Sequence, residues 1–327
     1  QSSRKNIKEI NMNSQAILGE GDYKYEIIEN WEKLPDEYKW PETASVITDD
    51  QDNVYVFNRG KHPMIVFDSD GNFIKSWGEN IFVRAHGLSK GPDNSIFCSD
   101  DGDHSVRQCD LDGNVLMTIG NPGNPSKPFS GIPFNRCTHT AVDFNTGNIF
   151  ISDGYQNSKV HKYDPNGKLI KSWGTPGVDE GEFNIVHNLA LDSNGYLYVC
   201  DRENHRIQIF DTEGKFQSEW SNVHRPCAIY IDSNDVVYVA ELGWATKINR
   251  DMPNIGPRIS IFNSFGKLLQ RVGNQGYGTD LGQFTAPHGL CLDSQLNMYV
   301  AEVSKTNISH VEAPPDFPRS FQKLKKL

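Results

Sequence analysis

Short runs of alternating apolar residues, each closed by a polar turn, recur along most of the chain. The stretches HTAVDFNTGNIFISDGYQNSKVHKYDPNGKLIKSWG (139–174) and HNLALDSNGYLYVCDRENHRIQIFDTEGKFQSEW (187–220) follow one template. An apolar run ends in Asp and a turn. Then come a run such as YLYVCD, a polar loop, a run such as RIQIFD, a Gly-bearing turn and a run such as KFQSEW. Alternating runs joined by such turns predict four antiparallel strands per unit. The template also fits from Ser45, His86, Cys227 and His288, which makes six units. Their spacing of about 40–60 residues is that of four-stranded propeller blades.

Helices have little to build on, because no segment keeps an i, i+3, i+4, i+7 apolar pattern over three turns. The sixth unit lacks a clear fourth strand before EAPPDFP, and YKYEIIENW at 23–31 can supply it. Closing the ring with a strand from the other end of the chain removes two exposed sheet edges. The expected fold is therefore all-β: a six-bladed β-propeller over 23–312, with a flexible N-terminal segment at 1–22 and a C-terminal tail at 313–327.

Composition narrows the function. The net charge is −10, and the basic end KLKKL is too short to neutralise phosphates, so no nucleic-acid partner is expected. No apolar run approaches the ~18 residues of a spanning helix, and no membrane partner is expected. The start QSSRKNIKEINMNSQ has no apolar stretch of the signal-peptide kind. None of the six cysteines forms a CxxC pair, and Cys98, Cys200 and Cys291 lie within apolar runs. Free thiols in a reducing compartment are expected, and so a cytoplasmic rather than secreted location. The sequence sets no oligomeric state.

Within this frame the histidines acquire a meaning. His86, His187 and His288 open units two, four and six, at separations of 101 and 101 residues. The first strand of a blade lines the central channel, and blades two apart in a six-blade ring are related by about 120°. Three imidazoles then converge on the axis with a fourth position open, the donor set of a catalytic zinc site. A single histidine in that place would be read as filling a polar channel mouth. His139 opens unit three at the equivalent position and is a candidate substrate contact or an outer support of the metal ligands, with a solvated histidine of no role as the equal alternative. The loops between second and third strands face the same mouth and carry Arg59, Tyr155 and Arg202. Unit five carries a lid-like insertion there, at 241–258. Asp100, Asp153, Asp201, Glu241 and Glu302 close second strands and read as turn-stabilising carboxylates.

The stretches SDGYQNSKV, DRENHRIQ, VHNLAL, PHGL and NRG resemble the peptidyl-α-hydroxyglycine α-amidating lyase family over roughly residues 40–310. That resemblance implies a six-bladed propeller of NHL-type repeats. It implies zinc, or another divalent metal, on His86, His187 and His288; Tyr155 and Arg59 acting on substrate; and Arg202 lining the site. It implies cleavage of a carbinolamide N–C(OH) bond into an amide and an aldehyde such as glyoxylate, from a peptide C-terminus or a small molecule. The family's calcium-binding aspartate after the third zinc histidine is Gly289 here, so calcium near Val46 and Leu88 is not expected. Its cysteine after the catalytic tyrosine is Gln156. The segment after Arg59 and the insertion at 241–258 also depart from the family pattern. Two other readings stay open: another metal-dependent lyase, hydratase or hydrolase acting on a small α-hydroxy or lactone substrate, and a non-enzymatic NHL-type interaction module.

Overall fold

A computed structural model of the chain describes residues 17–273 and 276–327. Six antiparallel sheets form the blades of a propeller. Blade 1 runs Thr43–Thr48, Val54–Asn58, Met64–Phe67 and Phe73–Trp77. Blade 2 begins at Ala85–Lys90, blade 3 at His139–Val142, blade 4 at Val186–Leu191, blade 5 at Pro226–Ile231 and blade 6 at Pro287–Leu292. Among the described residues an apolar cluster fills each gap between neighbouring blades, and a smaller one of Cys227, Leu242, Ala286 and Val303 adds to the gap between blades 5 and 6. Phe150 and Val160 of blade 3, for example, pack with Val186 and Leu197 of blade 4. Second strands therefore have both faces buried, as in Val237–Glu241, whereas an outer strand such as Phe216–Trp220 faces solvent. Glycines in the outer hairpins, Gly113, Gly214 and Gly266, lie against Trp77, Trp173 and Trp220 of the preceding blades, and a Cβ there would come within 2.6 Å of each ring.

Tyr25–Ile28 is the fourth strand of blade 6, the place expected of 23–31, so the N-terminal part of the chain closes the ring. Its partner differs from expectation. Phe321–Lys326, read from the sequence as part of a C-terminal tail, is the third strand of this blade and pairs with both Met298–Glu302 and Tyr25–Ile28. The expected flexible segment at 1–22 lies mostly outside the described residues; its end, Ile17–Leu18, pairs with Tyr25–Ile28. Met298–Glu302 and Phe321 are joined by an excursion containing the short helix Ser304–Ile308. All six cysteines are buried and unpaired. Among the described residues no helix is long and apolar enough to cross a membrane.

Candidate metal centre and its cavity

The first strand of most blades starts with a register shift of one residue. In blade 2, Ala85 pairs with Asp100 and Gly87 with Ser99, leaving His86 in the bulge. The same shift isolates Ala44, His187, Cys227 and His288. In blade 3 the corresponding residue is Thr138, just before the strand. Bulges re-aim side chains, and here histidine alternates with Ala44, Thr138 and Cys227 around the axis. Each histidine Nδ1 hydrogen-bonds the carbonyl of the following blade's bulge residue: His86 to Thr138 at 2.7 Å, His187 to Cys227 at 2.6 Å and His288 to Ala44 at 2.7 Å. A carbonyl only accepts, so each Nδ1 carries the proton and each Nε2 keeps its lone pair.

The ligand atoms of the three rings lie within 4.8 Å of one another, and all three residues are buried. Burial is the main force holding them neutral. It is reinforced for His86 by the other two imidazoles, for His187 by Arg202 and for His288 by Arg59, and all three stay well below the usual histidine range. Three neutral, backbone-oriented nitrogens aimed at one point fit a divalent metal with an open position.

Tyr155 is brought to the same point. Its Oη lies 3.0 Å from both His86 Nε2 and His187 Nε2. The preceding residue has to be glycine for steric reasons, because a Cβ on Gly154 would fall 1.4 Å from the Val186 carbonyl oxygen. Arg59 and Arg202, both expected here, line a cavity of about 530 Å³ over His288 and Tyr155. Arg59 donates to Glu42 at 2.7 Å and to the Ala85 carbonyl at 3.1 Å. Burial alone would lower the Arg202 guanidinium, but Tyr155, Cys227 and Glu203 more than offset it, so it stays charged.

The segment leading into each bulge is held by the carboxylates that close the second strands, in the structural role expected of them. Asp100 accepts from the amides of Val83 and Arg84, Asp153 from Asn135, Asp201 from Asn184, Glu241 from His224 and Glu302 from Thr285. All five are buried.

The structure corrects one expectation. His139 is not equivalent to the other three: it lies one residue past the bulge and opposite Ser152, where blades 2 and 6 have Gly87 and Gly289. A turn one residue longer in blade 3, Asp143 to Asn148 against Asp49 to Asn53 in blade 1, hides the offset in the sequence. His139 therefore faces the chamber of about 850 Å³ on the other side of the three-histidine cluster and does not line the cavity over Tyr155. Burial lowers it to about 4. The unfolded chain protonates a histidine near 6.5, so this contribution to stability is complete above that pH and is lost as the pH falls from 6.5 toward 4. The loss amounts to about 2 kcal/mol at pH 5. His139→Gln is accordingly expected to shrink the drop in melting temperature between pH 7 and pH 5 by about 4 °C. An unchanged drop would contradict this placement.

Some residues of the cavity were not anticipated. Arg84, Arg136 and Arg225 all line it, and each stands two residues before the bulge residue of its blade, a repeat visible in the sequence. The expected lid does contribute, through Trp244, Ala245, Thr246 and Lys247. A second roof comes from the excursion after blade 6's second strand, with Thr306, Asn307 and His310. Glu42 ties it down by accepting from the Thr306 amide and hydroxyl, both at 2.7 Å.

Gly289 stands where the resemblance puts a calcium-binding aspartate, and it has no side-chain oxygen. A Cβ on Gly289 would lie 2.7 Å from Ser45 Cα and 2.9 Å from the Ala44 carbonyl oxygen, so no carboxylate is offered there. Calcium at 1 mM is expected to leave the melting temperature unchanged, since a calcium site needs six or more oxygen ligands. A calcium-dependent rise of several degrees would contradict this.

Fold and site together define the class: a six-bladed propeller of NHL type with a three-histidine centre, and an NHL repeat is matched over residues 183–210. Within that class the resemblance is to the peptidyl-α-hydroxyglycine α-amidating lyases. The chain is 29% identical to the Drosophila melanogaster peptidyl-alpha-hydroxyglycine alpha-amidating lyase 1, over 71% of this chain and 45% of that protein. It is equally 29% identical to the Rattus norvegicus peptidylglycine alpha-amidating monooxygenase, over 60% of this chain and 23% of that protein, so it spans about a quarter of that relative's length. NHL repeat-containing protein 3 of Homo sapiens is also 29% identical, over 61% of this chain and 60% of that protein. Among solved structures, the gluconolactonase XC5397 of Xanthomonas campestris superposes with a TM-score of 0.60 at 12% identity, over 88% of this chain and 86% of that one, a likeness of fold alone.

Proposed function

We propose that the protein is a zinc-dependent carbon–nitrogen lyase that splits a carbinolamide into an amide and an aldehyde, with an N-acyl-α-hydroxyglycine giving glyoxylate. The observation carrying this reading is the Tyr155 hydroxyl, 3.0 Å from two Nε2 atoms of a three-histidine cluster. A binding module has no use for a phenol at that position. His86, His187 and His288 would hold the metal, which supplies Lewis acidity toward an alcohol oxygen when bound.

The chain's own residues do the rest. Arg202 binds the substrate carboxylate through its planar fork. Tyr155 Oη, with its own proton already given up, would accept the proton of the carbinol hydroxyl. The electron pair left on that oxygen forms the aldehyde C=O as the C–N bond breaks, and the amide nitrogen leaves with the bonding pair. The proton held at Tyr155 is then available to that nitrogen. Arg59 steadies negative charge developing on oxygen, as a fixed cation in a water-poor site. The lids at 244–247 and 303–310 limit entry of bulk water.

The test is product analysis by NMR after zinc-loaded protein meets N-acetyl-α-hydroxyglycine. Acetamide and glyoxylate in equal amounts are expected. Their absence, with turnover of a small α-hydroxy acid or lactone instead, would favour the other enzymatic reading. The roofed cavity gives that reading some support, because it suits a small substrate better than a long peptide.

A further inference from the structure

The cavity carries more positive charge than one substrate carboxylate requires. Five guanidiniums line it: Arg59, Arg84, Arg136, Arg202 and Arg225. Three carboxylates answer them. Arg59 pairs with Glu42 alone. Arg84 and Arg136 share one oxygen of Asp101, at 2.5 and 2.6 Å. Arg202 and Arg225 share one oxygen of Glu203, at 2.8 and 2.9 Å. Each shared carboxylate matches one of its two guanidiniums, so two positive charges remain. A bound divalent metal would add two more.

The two shared clusters occupy different parts of the ring. Arg84 and Arg136 lead into blades 2 and 3, while Arg202 and Arg225 belong to blades 4 and 5. Both clusters touch the Tyr155 ring, with Arg136 Cζ 4.4 Å and Arg202 Cζ 5.5 Å from its centre. They differ in exposure. The Arg84 and Arg136 side chains are 34% and 37% accessible, against 11% and 13% for Arg202 and Arg225. Arg136 spends Nε and one terminal nitrogen on Asp101 and Arg84 spends one terminal nitrogen, so each keeps donors for a ligand. Lys247 on the rim adds to the same field.

We propose that the preferred substrate is a dianion: beside the carboxylate next to the carbinol carbon, it carries a second carboxylate on its acyl part, taken by Arg84 and Arg136. This rests on the lyase reading above and names the substrate class for it. Arg84 and Arg136 act as specificity-determining residues, since they lie beside Tyr155 and not among the three histidines.

A matched pair of compounds tests this, N-succinyl-α-hydroxyglycine against N-butanoyl-α-hydroxyglycine, which differ in the terminal carboxylate. Wild-type protein is expected to prefer the succinyl compound in kcat/KM by about 20-fold, the range of a charge-assisted hydrogen-bonded pair. Arg136→Gln and, separately, Arg84→Gln should each shrink that ratio severalfold through KM, with Arg136→Lys retaining part of it. Single variants are used because Asp101 keeps one guanidinium partner in each. Zinc content and melting temperature check that they fold. Equal turnover of the two compounds by wild type, or a ratio that neither Gln variant moves, would overturn the dianion inference while leaving the lyase reading standing. If neither compound turns over, calorimetry with succinate and butyrate decides. Succinate binding at least tenfold tighter, and loosened in the Gln variants, would keep the dianion site and sink the lyase reading. Equal binding would sink both.

Discussion

Tyr155→Phe should lower turnover by roughly 10²–10⁴, the contribution of a positioned general base, while leaving zinc content near one per chain. The substitution removes one oxygen and keeps the ring. That ring is what Arg136 and Arg202 stack on, and its backbone is fixed by the close approach of Gly154 to Val186. The variant therefore isolates the hydroxyl that lies 3.0 Å from His86 and His187. The measurement is kcat for glyoxylate release at saturating substrate. Loss in kcat is expected, because the proton moves in the transition state and not on binding. A variant with wild-type kcat would remove Tyr155 from the chemistry.

His86→Ala, His187→Ala and His288→Ala are each expected to weaken zinc binding by more than the 10–100-fold typical of losing an outer partner of a metal ligand, and to abolish turnover at stoichiometric zinc. Only three protein nitrogens converge among the described residues, so removing one leaves two, too few for a stable site. The oriented tautomers depend on the backbone carbonyls of Ala44, Thr138 and Cys227. Side-chain changes at those three residues should consequently be far milder than changes at the histidines. Zinc affinity from competition with a chromophoric chelator checks the order. Three alanine variants that retained wild-type affinity would dissolve the centre.

Much of this was legible in the sequence because a propeller repeats its instructions. The alternation of runs and Gly turns marks four strands per blade, and the spacing of 101 residues marks alternate blades. The closing strand at Tyr25–Ile28 was readable for the same reason: an unfinished sixth unit needs a partner. Its neighbour Phe321–Lys326 was not readable, because an excursion of 18 residues with its own helix separates it from Glu302 and its basic sequence resembles a solvated end. His139 was misplaced because the longer turn at 143–148 restores the interval of 14 residues between histidine and closing aspartate found in the blade of His86. Hydrogen-bond register, which sequence does not display, separates the two cases. Arg84, Arg136 and Arg225 are less legible, because they lie in the segments leading into first strands and not in the loops between second and third strands. Only the folded ring turns those segments into the wall of the cavity.

Zinc titration of chelator-stripped wild-type protein, followed by glyoxylate release from an N-acyl-α-hydroxyglycine, tests the central claim most directly. Activity should start from a negligible level, rise linearly with added zinc and break at one equivalent per chain. Glyoxylate release that did not depend on zinc, or none at any zinc level, would contradict a lyase built on His86, His187 and His288.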